Sequence, residues 1–167
     1  MQDDKSMWLG IGHGDPAAFE RVYSAHFARV RDFLRVYLGG GPIVEDVAQE
    51  TFLQLWQRPN GFNPARSSMK AYLFGIARKR AADWWRHQRP NEARDTEPLS
   101  NSAEPALLMS DAFKRLHTDS RIVLWLREAE GYSYEELSII LDVPIGTVRS
   151  RLFTAREQLR RIWKSGR

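Results

Sequence analysis

Ser133-Tyr134-Glu135-Glu136-Leu137-Ser138-Ile139-Ile140-Leu141-Asp142-Val143-Pro144-Ile145-Gly146-Thr147-Val148-Arg149-Ser150-Arg151-Leu152-Phe153-Thr154-Ala155-Arg156 is the stretch on which the fold turns. Ser133 and Glu136 have capping-box spacing: the hydroxyl accepts the amide three residues on, and the glutamate reaches back. The short helix this opens has Leu137, Ile140 and Leu141 on one side. Ser138 is small where two helices must approach closely. Asp142 follows where a left-handed turn residue is needed, and aspartate tolerates that conformation. Pro144 and Gly146 punctuate the loop, and Thr147 leads into a second helix. There Val148, Leu152, Ala155 and Leu159 face inward at helical spacing, leaving Arg149, Ser150, Phe153, Thr154 and Arg156 outward. The pattern predicts a helix-turn-helix whose second helix enters a major groove, where arginine pairs with guanine and apolar groups touch thymine methyls. Arg160, Arg161 and Lys164 suit phosphates. The competing reading is a helical hairpin with an exposed basic face. For Phe153 alone, a core position is the competing reading.

Outward from this motif, helices are expected over residues 107–116 and 120–130, the second stopping at Gly131. Residues 90–105 lose all periodicity and hold three prolines, several acids, serine and asparagine, the composition of a flexible linker. Before it, Asp15-Pro16 starts a helix carrying Phe19, Val22, Tyr23, Phe27, Val30, Phe33, Leu34 and Tyr37 inward. Gly39-Gly40-Gly41-Pro42 ends it. Residues 44–57 form the next helix, with Val44, Val47, Ala48, Thr51, Phe52, Leu55 and Trp56 as one inward stripe. Asp46, Gln49, Glu50 and Leu53 share a different face. Residues 58–66 have loop chemistry, with Pro59, Asn60, Gly61 and Pro64. Ser67 is expected to cap a long helix reaching Gln88. At least one of Trp84 and Trp85 is expected in a core, because neighbours on a helix point in different directions.

The fold class is therefore all-α: two small helical domains joined by a flexible linker. Residues 1–14 read as an N-terminal tail, 15–90 as the first unit, 91–105 as the linker and 106–165 as the second unit. The 167 residues carry a formal net charge of +4. The bases concentrate in residues 78–89 and 146–167, which suggests two contacts with a polyanion, although charge alone favours the plainer reading of two solvated helix faces. The first residues lack a signal-peptide apolar core and no apolar run could span a membrane, so a cytoplasmic location is expected with no membrane insertion. The absence of cysteine excludes disulfides, a CxxC redox pair and cysteine–zinc sites. His13, His26, His87 and His117 have no metal-site spacing. No nucleotide-binding glycine loop or catalytic triad pattern occurs. No catalysis, metal or cofactor is expected.

Two further segments carry a family resemblance. Glu45-Asp46-Val47-Ala48-Gln49-Glu50-Thr51-Phe52 and Tyr72-Leu73-Phe74-Gly75-Ile76-Ala77-Arg78, with the segment 131–151 in the same order, resemble the extracytoplasmic-function (ECF) sigma factors of bacterial RNA polymerase, group IV of the sigma-70 family. The resemblance covers nearly the whole chain except the first residues and the linker. It implies that residues 15–90 correspond to region 2 and 106–165 to region 4. It implies no enzyme but a transcription initiation factor that binds polymerase core, at its clamp helices and flap, and promoter DNA, under a sequestering anti-sigma protein. Asp46, Gln49, Glu50 and Leu53 would face the clamp helices; without the resemblance, a solvated face on a bundle helix is the favoured reading. Thr147, Arg149, Ser150, Arg151, Phe153, Thr154, Arg156 and Arg160 would bind the upstream promoter element. Family members often carry a basic residue where Thr154 stands. The loop 58–68 would hold a base flipped from the downstream element, with Asn63 and Lys79 bonding its edge; some relatives have asparagine at the place of Lys79. Phe62 would stack on that base or line the pocket, or else anchor the loop on the core. Arg78, Arg80 and Arg86 would contact phosphates on the separated strands, along the helix that continues through Asp83. Two other functions compete: a duplex-binding activator or repressor with a sensing domain, and a protein-interaction module without DNA binding.

Overall fold

The structure is a computed structural model and describes residues 4–88 and 111–166. Eight α-helices and no strand occur among the described residues. Four helices form the first unit: α1 (Asp4–Gly12), α2 (Pro16–Leu38), α3 (Pro42–Gln57) and α4 (Met69–Gln88). The second unit holds α5 (Asp111–Lys114), α6 (Thr118–Leu124), a π-helical turn (Trp125–Ala129), α7 (Tyr134–Leu141) and α8 (Ile145–Ser165).

Local chemistry accounts for most of the boundaries. Asp15 caps α2 by accepting the Ala17 amide at 2.9 Å, with Pro16 at the first helical position. Gly39 ends it with φ of 87°, a left-handed conformation that glycine adopts without a Cβ clash. In α3, Val44, Val47, Ala48, Thr51, Phe52 and Leu55 are all buried as the stripe requires. Trp56, expected in that stripe, sits at its exposed edge, 36% accessible, with Phe19 against its ring at 5.2 Å.

Three expectations are corrected. Residues 1–14 were expected as a tail, yet α1 packs there and buries Met7 and Ile11. Glycine at position 10 permits the approach, since a Cβ there would lie 2.6 Å from the Ala18 Cβ. The cap of α4 is Ser68 rather than Ser67: its Oγ accepts the Ala71 amide at 3.1 Å. The helix expected over 120–130 divides, because the chain widens into the π turn at Trp125, where the Glu130 amide reaches back to the Trp125 carbonyl. The expected linker at 91–105, and the beginning of the expected helix at 107–116, lie outside the described residues.

The two units stand in the expected order but share one continuous core. The Phe33 ring from α2 lies 5.1 Å from Phe74 of α4 and 6.0 Å from Trp125 of the π turn. Tyr132 packs edge-on against Phe74 at 6.1 Å. A polar clasp closes beside these rings. Glu130, whose side chain is 1% exposed, accepts from Lys70 Nζ at 2.8 Å and pairs with Arg29.

Candidate nucleic-acid and partner interface

The helix-turn-helix is built as its chemistry dictates. Glu136 N donates to Ser133 Oγ at 3.1 Å and Ser133 N donates to Glu136 Oε2 at 2.7 Å, so both halves of the capping box form. Asp142 has φ of 53° and turns the chain left-handed after α7. Ser138 does more than leave room: its hydroxyl donates to the Val143 carbonyl at 2.6 Å and closes the turn. Val148, Leu152 and Ala155 bury one side of α8, with Leu159 partly buried beyond them.

On the opposite side Arg149, Ser150, Phe153, Thr154 and Arg156 are all exposed, as is Arg160 further along. Phe153 is 68% exposed, so it is a surface ring rather than a core one. A large apolar ring in water costs burial free energy until a partner covers it. Arg156 holds Glu128 at 3.1 Å, and that hydrogen bond raises the guanidinium above its ordinary range. Ser150 donates to the Thr147 carbonyl at 3.0 Å. Thr147 and Arg151 are half-buried. Arg151 lines a polar cavity of about 190 Å³ between the two units, with Arg78, Asp119 and Asp142. It therefore stands apart from the outward set.

The face expected on α3 is intact. Asp46, Gln49, Glu50 and Leu53 are exposed together, with Leu53 at 50%. An acid and amide surface around one apolar anchor suits a basic partner helix.

The arginine candidates of the first unit's basic helix have intramolecular partners. Arg78 Nε donates to the Ile140 carbonyl of α7 at 3.1 Å. Arg80 Nε donates to Gln54 Oε1 at 2.9 Å, and Arg86 pairs with Asp83. Lys79 is exposed. In the loop, Asn63 Oδ1 accepts the Ala65 amide at 2.9 Å, so the NH2 group is the part of the side chain not used by that turn. Phe62 is 2% exposed, lying between Trp8 at 6.2 Å and Tyr72 at 5.4 Å. The anchor reading of Phe62 therefore applies, and its ring has no free face for a base. Trp84 and Trp85 meet edge to face at 5.0 Å, both half-buried.

Sequence reasoning missed two kinds of residue. Arg121 is 2% exposed and donates to the Lys114 and Leu116 carbonyls at 3.1 Å each and to Thr118 Oγ1 at 3.2 Å. It holds the turn between α5 and α6 by satisfying carbonyls that a helix end leaves orphaned. Burial lowers its guanidinium from the ordinary arginine range. Trp8 and Asp4 of α1 are the second kind. No sequence signal marked either, because both contact residues far along the chain. Among the described residues no cluster of histidine and acid could hold a metal ion, and no helix is long and apolar enough to cross a membrane.

Comparison with known proteins gives two family matches, Sigma-70 region 2 over residues 22–90 and Sigma-70, region 4 over residues 106–159. The ECF RNA polymerase sigma-E factor of Haemophilus influenzae is 30% identical over 177 aligned positions, covering 93% of each chain. RNA polymerase sigma factor CarQ of Myxococcus xanthus is 31% identical over 159 positions, covering 89% of this chain and 91% of that protein. Among solved structures, the sigma factor RpoE bound to the anti-sigma factor NepR from Bartonella quintana is 25% identical. It superposes with a TM-score of 0.70 over 89% of this chain and 98% of its own.

Proposed function

The chain belongs to the ECF family of RNA polymerase sigma factors, and from that membership we propose how its surfaces divide the work of promoter-directed transcription initiation. Residues 15–90, joined by α1, form the unit that docks on core polymerase and reads the downstream element. Residues 106–165 form the unit that reads the upstream element, and 91–105 connect them. The protein works in the cytoplasm beside the polymerase and performs no catalysis. Strand opening is driven by binding free energy that favours a flipped, unpaired base over duplex.

The observation that carries this reading is the two-sidedness of α8. One side is fixed in the core by Val148, Leu152 and Ala155, and the other exposes Arg149, Ser150, Phe153, Thr154 and Arg156 along its first turns. Arg149 and Arg156 read base edges, Phe153 meets a thymine methyl, and Thr147, Ser150, Thr154 and Arg160 support backbone contacts. Arg156 exchanges Glu128 for DNA, an exposed pair whose loss costs little. Arg151 contributes from the groove between the units.

Asp46, Gln49, Glu50 and Leu53 dock on the polymerase clamp, and the upstream-reading unit meets the flap. Asn63 and Lys79 bond the edge of the flipped base, Phe62 shapes the pocket from below, and Arg80, Asp83 and Arg86 lie along the separated strands. Arg78 joins them once its Nε releases the Ile140 carbonyl, which a rotation of its own side chain allows. An anti-sigma protein that holds the units together belongs to the same reading. The relative from Bartonella was solved in complex with an anti-sigma factor.

Run-off transcription with core polymerase on a promoter library tests the whole reading: adding the chain creates specific start sites. Unchanged initiation overturns it. Asp46→Arg in the full chain lowers core association at least about tenfold through charge reversal at the interface, with helicity by circular dichroism unchanged. Core binding equal to wild type removes Asp46 from the interface.

A further inference from the structure

α1 grips the candidate base pocket at both of its ends. Asp4 and Trp8 stand four residues apart on one face of the helix. Trp8 Nε1 donates to the Pro59 carbonyl at 2.7 Å, and its ring packs edge-on against Phe62 at 6.2 Å. These contacts fix the first residues of the loop. Asp4 Oδ2 accepts the Met69 amide at 2.8 Å and so caps α4 from outside, beside the cap that Ser68 supplies from within. That contact fixes the last residues of the loop and places a carboxylate at the N-terminus of the helix, where negative charge is favoured. Between the two grips lie residues 63–67, of which Asn63, Ala65 and Arg66 are exposed.

The helix itself is held firmly. Met7 and Ile11 are buried, and Gly10 lets α1 close onto Ala18. The loop is also pressed onto α4, since a Cβ at Gly61 would overlap the Tyr72 hydroxyl. A base taken out of its stack carries an unstacking and unpairing penalty. A pocket that had to order its own backbone would add the conformational entropy cost of each residue fixed. Tethering both ends of the loop beforehand removes much of that second cost.

We propose that α1 is a positioning element of the downstream base pocket, with Trp8 and Asp4 as its positioning residues. Neither touches the base; they hold Asn63 and the start of α4 where an unpaired base can be read. The inference rests on the reading of residues 58–68 as that pocket.

The test uses holoenzyme reconstituted from core polymerase and the full chain. Its probe is a single-stranded DNA library with a short randomised window, followed by affinity measurement on the sequence that wild type enriches. Trp8→Phe keeps a ring and loses the N–H donor. Asp4→Ala loses the acceptor, while Asp4→Asn keeps one. Asn63→Ala removes a proposed direct contact. Trp8→Phe and Asp4→Ala are expected to weaken single-strand binding about three- to tenfold, the effect of losing one ordered hydrogen bond. They also flatten the base preference, whereas Asp4→Asn stays near wild type. Core association and binding to upstream duplex remain unchanged in all four variants. Wild-type enrichment and affinity in Trp8→Phe and Asp4→Ala, with Asn63→Ala impaired, overturn the role of α1 alone. Wild-type behaviour of Asn63→Ala as well overturns the pocket reading and the inference with it. Equal losses in single-strand, duplex and core binding would mark a general folding defect and overturn the positioning role.

Discussion

His26 lies half-buried on α2, and its Nε2 is buried without a hydrogen-bond partner. Burial lowers its pKa from the ordinary 6.5; Asp4 opposes that shift and Lys70 reinforces it. The unfolded chain therefore takes up the proton before the folded one does. His26 favours the folded state fully above the ordinary histidine value, and that contribution is lost as pH falls below it towards the lowered folded value. The expected outcome is a melting temperature that declines between about pH 7 and pH 5, above the main carboxylate range. His26→Gln should flatten that part of the profile. An identical slope in the variant would assign the pH dependence to other groups. At the same scale, Phe62 illustrates what a residue type cannot tell. Its place in a loop fitted either a stacking ring or an anchor, and only the flanking rings of Trp8 and Tyr72 decide for the anchor.

The helix-turn-helix is the element whose geometry was most legible, because its caps are local. Ser133, Glu136 and Asp142 act within a few residues of themselves, so their spacing states the geometry outright. Ser133→Ala leaves the Glu136 amide without its acceptor and is expected to cost about 0.5–2 kcal/mol in chemical denaturation. Duplex binding should weaken with it, since α7 supports the buried side of α8 through the shared core. A cost near zero would mean that packing of Leu137 and Ile140 alone holds α7. The π turn is the opposite case. No residue type announces it, and it interrupts a stretch whose apolar periodicity reads as one helix.

For the whole molecule, the decisive contact is Glu130 between Arg29 and Lys70. It joins helices from both units beside the aromatic cluster of Phe33, Phe74, Trp125 and Tyr132. Arg29 lies 5.6 Å over the Trp125 ring and Lys70 5.7 Å over Tyr132, so the cations serve rings and carboxylate together. Burial pushes the Tyr132 hydroxyl up, with Glu130 adding to the shift, so it stays neutral. Glu130→Gln keeps the shape and removes the charge. It is expected to cost about 1–3 kcal/mol, because a buried hydrogen-bonded charge pair loses one partner. Thermal melting and amide exchange measure it. Exchange should quicken on α2, α4 and the π turn together. Faster exchange in the second unit alone would show that the clasp does not couple the units.

By itself the sequence determined the all-α class, the helix-turn-helix, the exposed face of α3 and the two-sided α8. Each is written in spacings of three or four residues, which the periodicity of a helix converts directly into faces. Only the tertiary structure decided that the units share a core, that Arg78 is engaged by α7, and that α1 is a helix holding a loop. The contacts responsible join Trp8 to Pro59, Asp4 to Met69 and Lys70 to Glu130, separated by 51, 65 and 60 residues. No local pattern encodes a partner that far along the chain. Such pairs exist only once the helices have packed, and burial then makes each polar group find whatever partner the packing has brought within reach.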